Sequence, residues 1–152
     1  MEPPPFRDPL PDLRPDPLPE DVKQVIVIRR DLHMRRGKEI AQGAHASSAW
    51  LASLVASKLA AVGPSAVSVT VTLDPAARVW LTSSFRKVTL QVQSEDQLVS
   101  LHEAALARGL HSHLIRDSGR TEFGGVPTIT ALAIGPGRAT DIDELTGGLT
   151  LY

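Results

Sequence analysis

The chain has 152 residues, 42% of them apolar, which suits one domain that can bury a core of its own. It has no cysteine, so disulfides, thiolate metal ligands and a cysteine nucleophile are excluded. No run approaches the roughly 20 apolar residues of a membrane span, and no secretory signal pattern opens the chain, so the expected setting is cytoplasmic. A formal net charge of -1 argues against a nucleic-acid partner only until the charge is divided along the chain.

Residues 1–22 hold eight of the twelve prolines, with six acids against two arginines. So few apolar side chains cannot offset the entropy of ordering the segment, and a disordered acidic tail is expected, with a proline-rich docking segment as the alternative. The domain is expected over 23–152. Residues 23–38 carry six bases (Lys23, Arg29, Arg30, Arg35, Arg36 and Lys38) against Asp31 alone, a positive patch that the whole-chain sum conceals.

"KQVIVIRR" is β-branched without alternation, which predicts a central strand buried on both faces. After "DLHMRRG" a long alanine- and leucine-rich helix is predicted from 38 to about 61, ending near "VGP". Within 66–86, "VSVTVT" alternates like a strand while "DPAARVWL" has the cap and first-turn proline of a short helix, the one element expected there. A strand follows over 87–93, then a helix opened by Ser94 and Gln97 in capping-box spacing and stopped by Gly109. "SHLIRD" gives a third strand over 112–117. "TITALAIGPG" gives a fourth strand that a short connection allows to run antiparallel to it, and "ATDIDELTGG" a last helix capped by Thr140. This order implies an α/β fold: a three-layer α/β/α sandwich around a four-stranded mixed sheet.

Lys38, Gln42 and His45 fall at i, i+4 and i+7 of the long helix and share one stripe, which a polar surface face would explain equally well. The lysine breaks that equivalence. In the first turn it opposes the helix dipole unless a negative group lies there, and a phosphate or a developing oxyanion would supply one. The basic loop also falls at the carboxyl end of a strand, where α/β sheets collect ligands. Asp117 falls where the third strand runs out, ahead of Arg120 and Thr121, and an aspartate there is commonly a turn former. Thr130 begins the apolar part of the last strand and is placed to lie beside it. His111 and His113 lack a third metal ligand in reach. "GPGR" lacks the lysine and hydroxyl of a phosphate loop, and no Gly-x-Ser-x-Gly elbow is present.

Four stretches in order, "VIVIRRDLHMRRGKEIAQGAHA", "KVTLQVQSEDQL", "GLHSHLIRDSGRTEF" and "TITALAIGPGRATDIDELTGGLTLY", resemble the type II peptidyl-tRNA hydrolases. The resemblance implies hydrolysis of the ester joining a peptide or N-blocked amino acid to tRNA, which recycles tRNA from aborted translation. It implies peptidyl-tRNA as partner, with a homodimer as a further possibility, and neither metal nor cofactor. The site residues it implies are Lys38, Gln42, His45, Asp117, Thr121 and Thr130. Asp117, with Thr121 or Thr130, would position and partly deprotonate a water; Lys38 would stabilise the oxyanion or a terminal phosphate; Gln42 and His45 would hold Lys38 and substrate in register. Arg29, Arg30, Arg35, Arg36 and Arg120 would hold the tRNA backbone, which gives salt-dependent affinity without sequence reading. Glu122 stands where members commonly have glutamine, "FGGVP" replaces their usual loop, and about 62–86 lacks their wording. A non-catalytic tRNA- or RNA-binding module of the same fold is the alternative reading, and a partner-recruiting protein with a vestigial site a more distant one.

Overall fold

The computed structural model describes residues 19, 21–65 and 67–152, so nearly all of the expected tail lies outside the described residues. The elements are β1 (Val22–Arg29), α1 (Arg36–Val62), α2 (Pro75–Thr82), β2 (Lys87–Val92), α3 (Glu95–Ala107), β3 (Ser112–Asp117), a one-turn 3-10 helix (Phe123–Gly125), β4 (Thr128–Arg138) and α4 (Ala139–Thr146). The sheet order is β2-β1-β4-β3. β1 runs parallel to β2, and β4 is antiparallel to both β1 and β3.

The unbroken apolar run of β1 is buried at every residue, as a central strand requires. Val25 and Val27 face one layer with Leu98 and Ala105 of α3 and Ile142 of α4. Ile26 and Ile28 face the opposite layer with Ala46 of α1 and the loop residue Met34. Trp50 of α1 meets Trp80 of α2 edge to face, with ring centroids 6.4 Å apart, and Val22 and Ala77 complete that cluster. The three-layer sandwich follows from this division of the strand residues between two faces.

Local signals held closely. Asp74 caps α2 through the Ala77 N–H at 2.9 Å, with Pro75 first in the helix. Ser94 accepts from Gln97 N–H at 3.2 Å, while the Gln97 side chain reaches back to the N–H of Gln93 at 2.7 Å. The differences are also local. α1 starts at Arg36, two residues earlier than its pattern indicated; "VSVTVT" pairs with no neighbour, and the short helix α2 is the one element in that stretch among the described residues, as expected. Thr140 does not cap α4: Arg138 occupies the cap position, and the free N–H of Ala139 donates instead to the Asp21 carbonyl at 3.0 Å. "GPGR" continues β4, and a Cβ on Gly135 (φ 99°) would stand 2.7 Å from the Lys23 carbonyl oxygen.

The last residues finish the sheet. Gln91 N–H donates to Thr150, Tyr152 N–H donates to Thr89, and Leu151 bridges Leu90, so chain lies along the outer edge of β2. No helix among the described residues is both long and apolar enough to cross a membrane.

Candidate active site

The topology brings three chain segments to one end of the sheet. β1 leads out of its carboxyl end into residues 30–35 and the start of α1. β3 ends at Asp117 on the same side, and antiparallel β4 begins there, with Thr128 beside Asp117. Buried Met34 pins the connecting loop into the core next to Ile28. The first turns of α1, the end of β3 and the first residues of β4 therefore meet.

What meets is a connected polar network. Lys38 Nζ donates to Asp117 Oδ1 at 2.6 Å and to Thr121 Oγ1 at 3.0 Å. Gln42 Nε2 donates to the same Asp117 oxygen at 3.2 Å, and Gln42 Oε1 accepts from the hydroxyl of Thr130. Asp117 Oδ2 takes the N–H of Gly119 at 2.9 Å, so the aspartate forms its own turn while it holds the lysine. These bonds keep the Asp117 carboxyl below the usual carboxylate range: the Lys38 hydrogen bond is the largest cause, Gly119 and Gln42 add to it, and burial opposes it. The negative group that the first-turn lysine calls for is Asp117 itself.

Thr130 is fully buried and Gln42 nearly so, at 0% and 2% exposure. The Thr130 hydroxyl donates to Gln42 and fixes which way that amide points, so its action on the cleft passes through Gln42 and it reaches no solvent. Thr121 is exposed. Lys38, Gln42, His45, Asp117 and Thr121 line a cleft of about 570 Å³ together with Arg35 and Glu122. His45 is exposed there and has no side-chain hydrogen bond among the described residues. Phe123, which carried no signal in the sequence, places its ring 5.8 Å from Lys38 Nζ.

The five arginines separate. Arg29 is turned inward, bonded to Asp31 at 2.7 Å, to Glu95 at 2.9 Å and to the Ile129 carbonyl at 2.9 Å, so it ties β1 to α3 and β4 and is not part of the open basic surface. Its hydrogen bond with Arg29 is the main reason the Asp31 carboxyl is held below its ordinary range. Arg30 lies over the Tyr152 ring and donates to its hydroxyl at 2.9 Å. Arg35 pairs with Glu122 at 2.7 Å across the cleft mouth. Arg36 and Arg120 are exposed, without an ion-pair partner among the described residues.

His111, just ahead of β3, and His113 within it join no metal-ligating group among the described residues. His111 pairs with Asp74 at 2.6 Å and tilts against Trp50, and among the described residues no group of three metal-ligating side chains forms.

The family model described as "Peptidyl-tRNA hydrolase PTH2" matches residues 22–152. The chain belongs to the PTH2 family. Among similar proteins, the "Peptidyl-tRNA hydrolase" of Methanopyrus kandleri is 41% identical over 131 residues, covering 85% of this chain and 97% of the relative. That of Methanocaldococcus jannaschii is 37% identical over 130 residues, covering 86% of this chain and 99% of the relative. The "Probable peptidyl-tRNA hydrolase 2" of Schizosaccharomyces pombe is 39% identical over 131 residues, covering 86% of this chain and 56% of that longer relative. The PTH2 match takes in every member of the polar network, along with the Glu122 and Arg35 that close its mouth.

Proposed function

We propose that this chain hydrolyses the ester between tRNA and a peptide or N-blocked amino acid, releasing tRNA for reuse in the cytoplasm. The observation that carries the reading is the Lys38–Asp117–Thr121–Gln42–Thr130 network, set in an open polar cleft beside exposed arginines.

The geometry suits an activated ester. A lysine ammonium has three N–H donors, and two of them are committed to Asp117 and Thr121. The third is left for the oxygen on which negative charge develops when water adds to the carbonyl, or for a terminal phosphate. Asp117 acts mainly as the anchor that points this ammonium, because a carboxylate held at low pKa is a weak proton acceptor. Its Oδ2 keeps one acceptor site after the Gly119 N–H and can orient the attacking water. Thr121 steadies the ammonium from the exposed side, Gln42 and Thr130 hold Asp117 from the buried side, and His45 stands open on the wall where substrate enters. Arg36 and Arg120, exposed and without an ion-pair partner among the described residues, supply positive surface for the tRNA backbone.

The test follows release of N-acetyl-aminoacyl groups from tRNA by the parent protein, Lys38→Ala and Asp117→Ala. Cleavage by the parent and a loss of about 100-fold or more in each variant are expected, the scale on which losing a charge stabiliser slows such steps. A parent that binds tRNA without cleaving it would leave the non-catalytic binding module. The homodimer is part of the same proposal, and sedimentation velocity tests it: a single 16.3 kDa species would remove it.

A further inference from the structure

The positive charges of the cleft are held back to different degrees. Lys38 is enclosed with Asp117, their side chains only 13% and 12% exposed, and further bonds from Thr121, Gln42 and Gly119 brace the pair. Arg35 is the outer cation, its side chain 77% exposed, and its one ionic partner among the described residues is Glu122, whose side chain is 17% exposed. A phosphate that reaches Arg35 therefore finds a carboxylate already there.

The backbone that carries Glu122 is tied down on both sides. On one side of it, Thr121 is bonded to Lys38. On the other, Gly125 N–H closes back onto the Gly119 carbonyl at 2.9 Å, and Gly119 is so close to Val126 that a Cβ would stand 2.2 Å from its carbonyl oxygen. A phosphate that takes Arg35 leaves the Glu122 charge behind, facing Lys38, Asp117 and the bound anion. That opposes binding, and it opposes binding of the tRNA product equally.

We propose that Glu122 is a built-in competitor for the phosphate that Arg35 would hold, and that it sets how firmly this chain grips tRNA and how readily it lets the product go. This rests on the reading of the cleft as a tRNA site. Glu122 tunes affinity through Arg35 and is not a catalytic residue.

The experiment measures the Kd of deacylated tRNA across a salt series, and KM and kcat for N-acetyl-aminoacyl-tRNA, in the parent, Glu122→Gln, Arg35→Ala and the double variant. Glutamine keeps the shape of the side chain and removes its charge. Glu122→Gln is expected to lower Kd and KM together by about two- to fivefold, the range of an exposed ion pair. kcat should not rise, and the dependence of log K on log salt should steepen by at most about 0.9, one phosphate contact. In the Arg35→Ala background the gain should shrink. An unchanged Kd and salt slope in Glu122→Gln would overturn the proposal, as would an equal gain without Arg35, which would make Glu122 a general repulsive charge. A parent that does not bind tRNA at all would overturn the tRNA reading together with this one, whereas a parent that binds and cleaves while Glu122→Gln changes nothing removes Glu122 alone.

Discussion

Asp117 gives each carboxylate oxygen a different task. Oδ2 closes the turn onto Gly119, and Oδ1 gathers Lys38 and Gln42. Because its folded pKa is depressed, chiefly by the Lys38 hydrogen bond, Asp117 adds stability that is present above its unfolded value near pH 4 and lost as pH falls through the folded value. Asp117→Asn should lack that component: urea unfolding at pH 7 and pH 3 is expected to show a smaller acid-induced loss than in the parent. An identical loss in both proteins would mean that the carboxylate is not coupled to folding. Thr130 poses a separate question one bond further in. Thr130→Val keeps the volume and deletes the donor, so Gln42 Oε1 is left without its partner and only the bond to Asp117 still orients the amide. A cost of about 1–3 kcal/mol and a roughly tenfold lower kcat are expected from thermal unfolding and ester cleavage. An unaltered kcat would show that the orientation of Gln42 does not matter to the reaction.

At the scale of elements, the connection from β3 to β4 does more than join two strands. It carries Asp117, Thr121 and Glu122 within six residues, and Gly119, at φ 77°, sets its shape. Gly119→Ala would need the left-handed region and would drive a Cβ into Val126, so the turn has to open. Ester cleavage should fall severely while far-UV circular dichroism still reports the α/β fold; full activity would mean that the turn need not be closed for Lys38 to be held. Helix α1 contributes in another way. Buried Ala46 and the small Gly43, whose added Cβ would touch Ile26 at 4.0 Å, let it lie close on the sheet, and this presses Gln42 down to Thr130. The small residues of "GKEIAQGAHA" thus serve packing against β1.

On the whole molecule, the basic stretch that looks uniform in the sequence is divided by the fold into structural, tethered and open charges. Arg29 is structural, and Arg29→Ala should cost about 1–3 kcal/mol of stability through lost charged hydrogen bonds. Arg36 and Arg120 are open, and replacing both with alanine should leave the melting temperature nearly unchanged while flattening the salt dependence of tRNA binding. An unchanged slope would assign these two arginines to a solvated face with no nucleic-acid role. Asp31 is a local partner of Arg29, but its other partners lie in α3 and β4 and that of Arg35 in the β3–β4 turn, beyond the reach of any local pattern.

The order of elements and the capping of α2 and α3 were legible in the chain because strand runs, Ser and Asp caps and stop glycines act within a few residues of themselves. The stripe of Lys38, Gln42 and His45 was equally legible, since helical spacing alone puts them on one side. Residues 67–74 were not, because alternation proposes a strand that only a neighbouring strand can complete. The partner of Lys38 was decided by tertiary structure alone. Asp117 lies 79 positions away, and only the β2-β1-β4-β3 order, with the carboxyl ends of β1 and β3 at one end of the sheet, brings its carboxylate to the lysine. Sequence fixes what is available within a helical turn or a strand; which distant charges neutralise one another depends on where the sheet sets the ends of its strands.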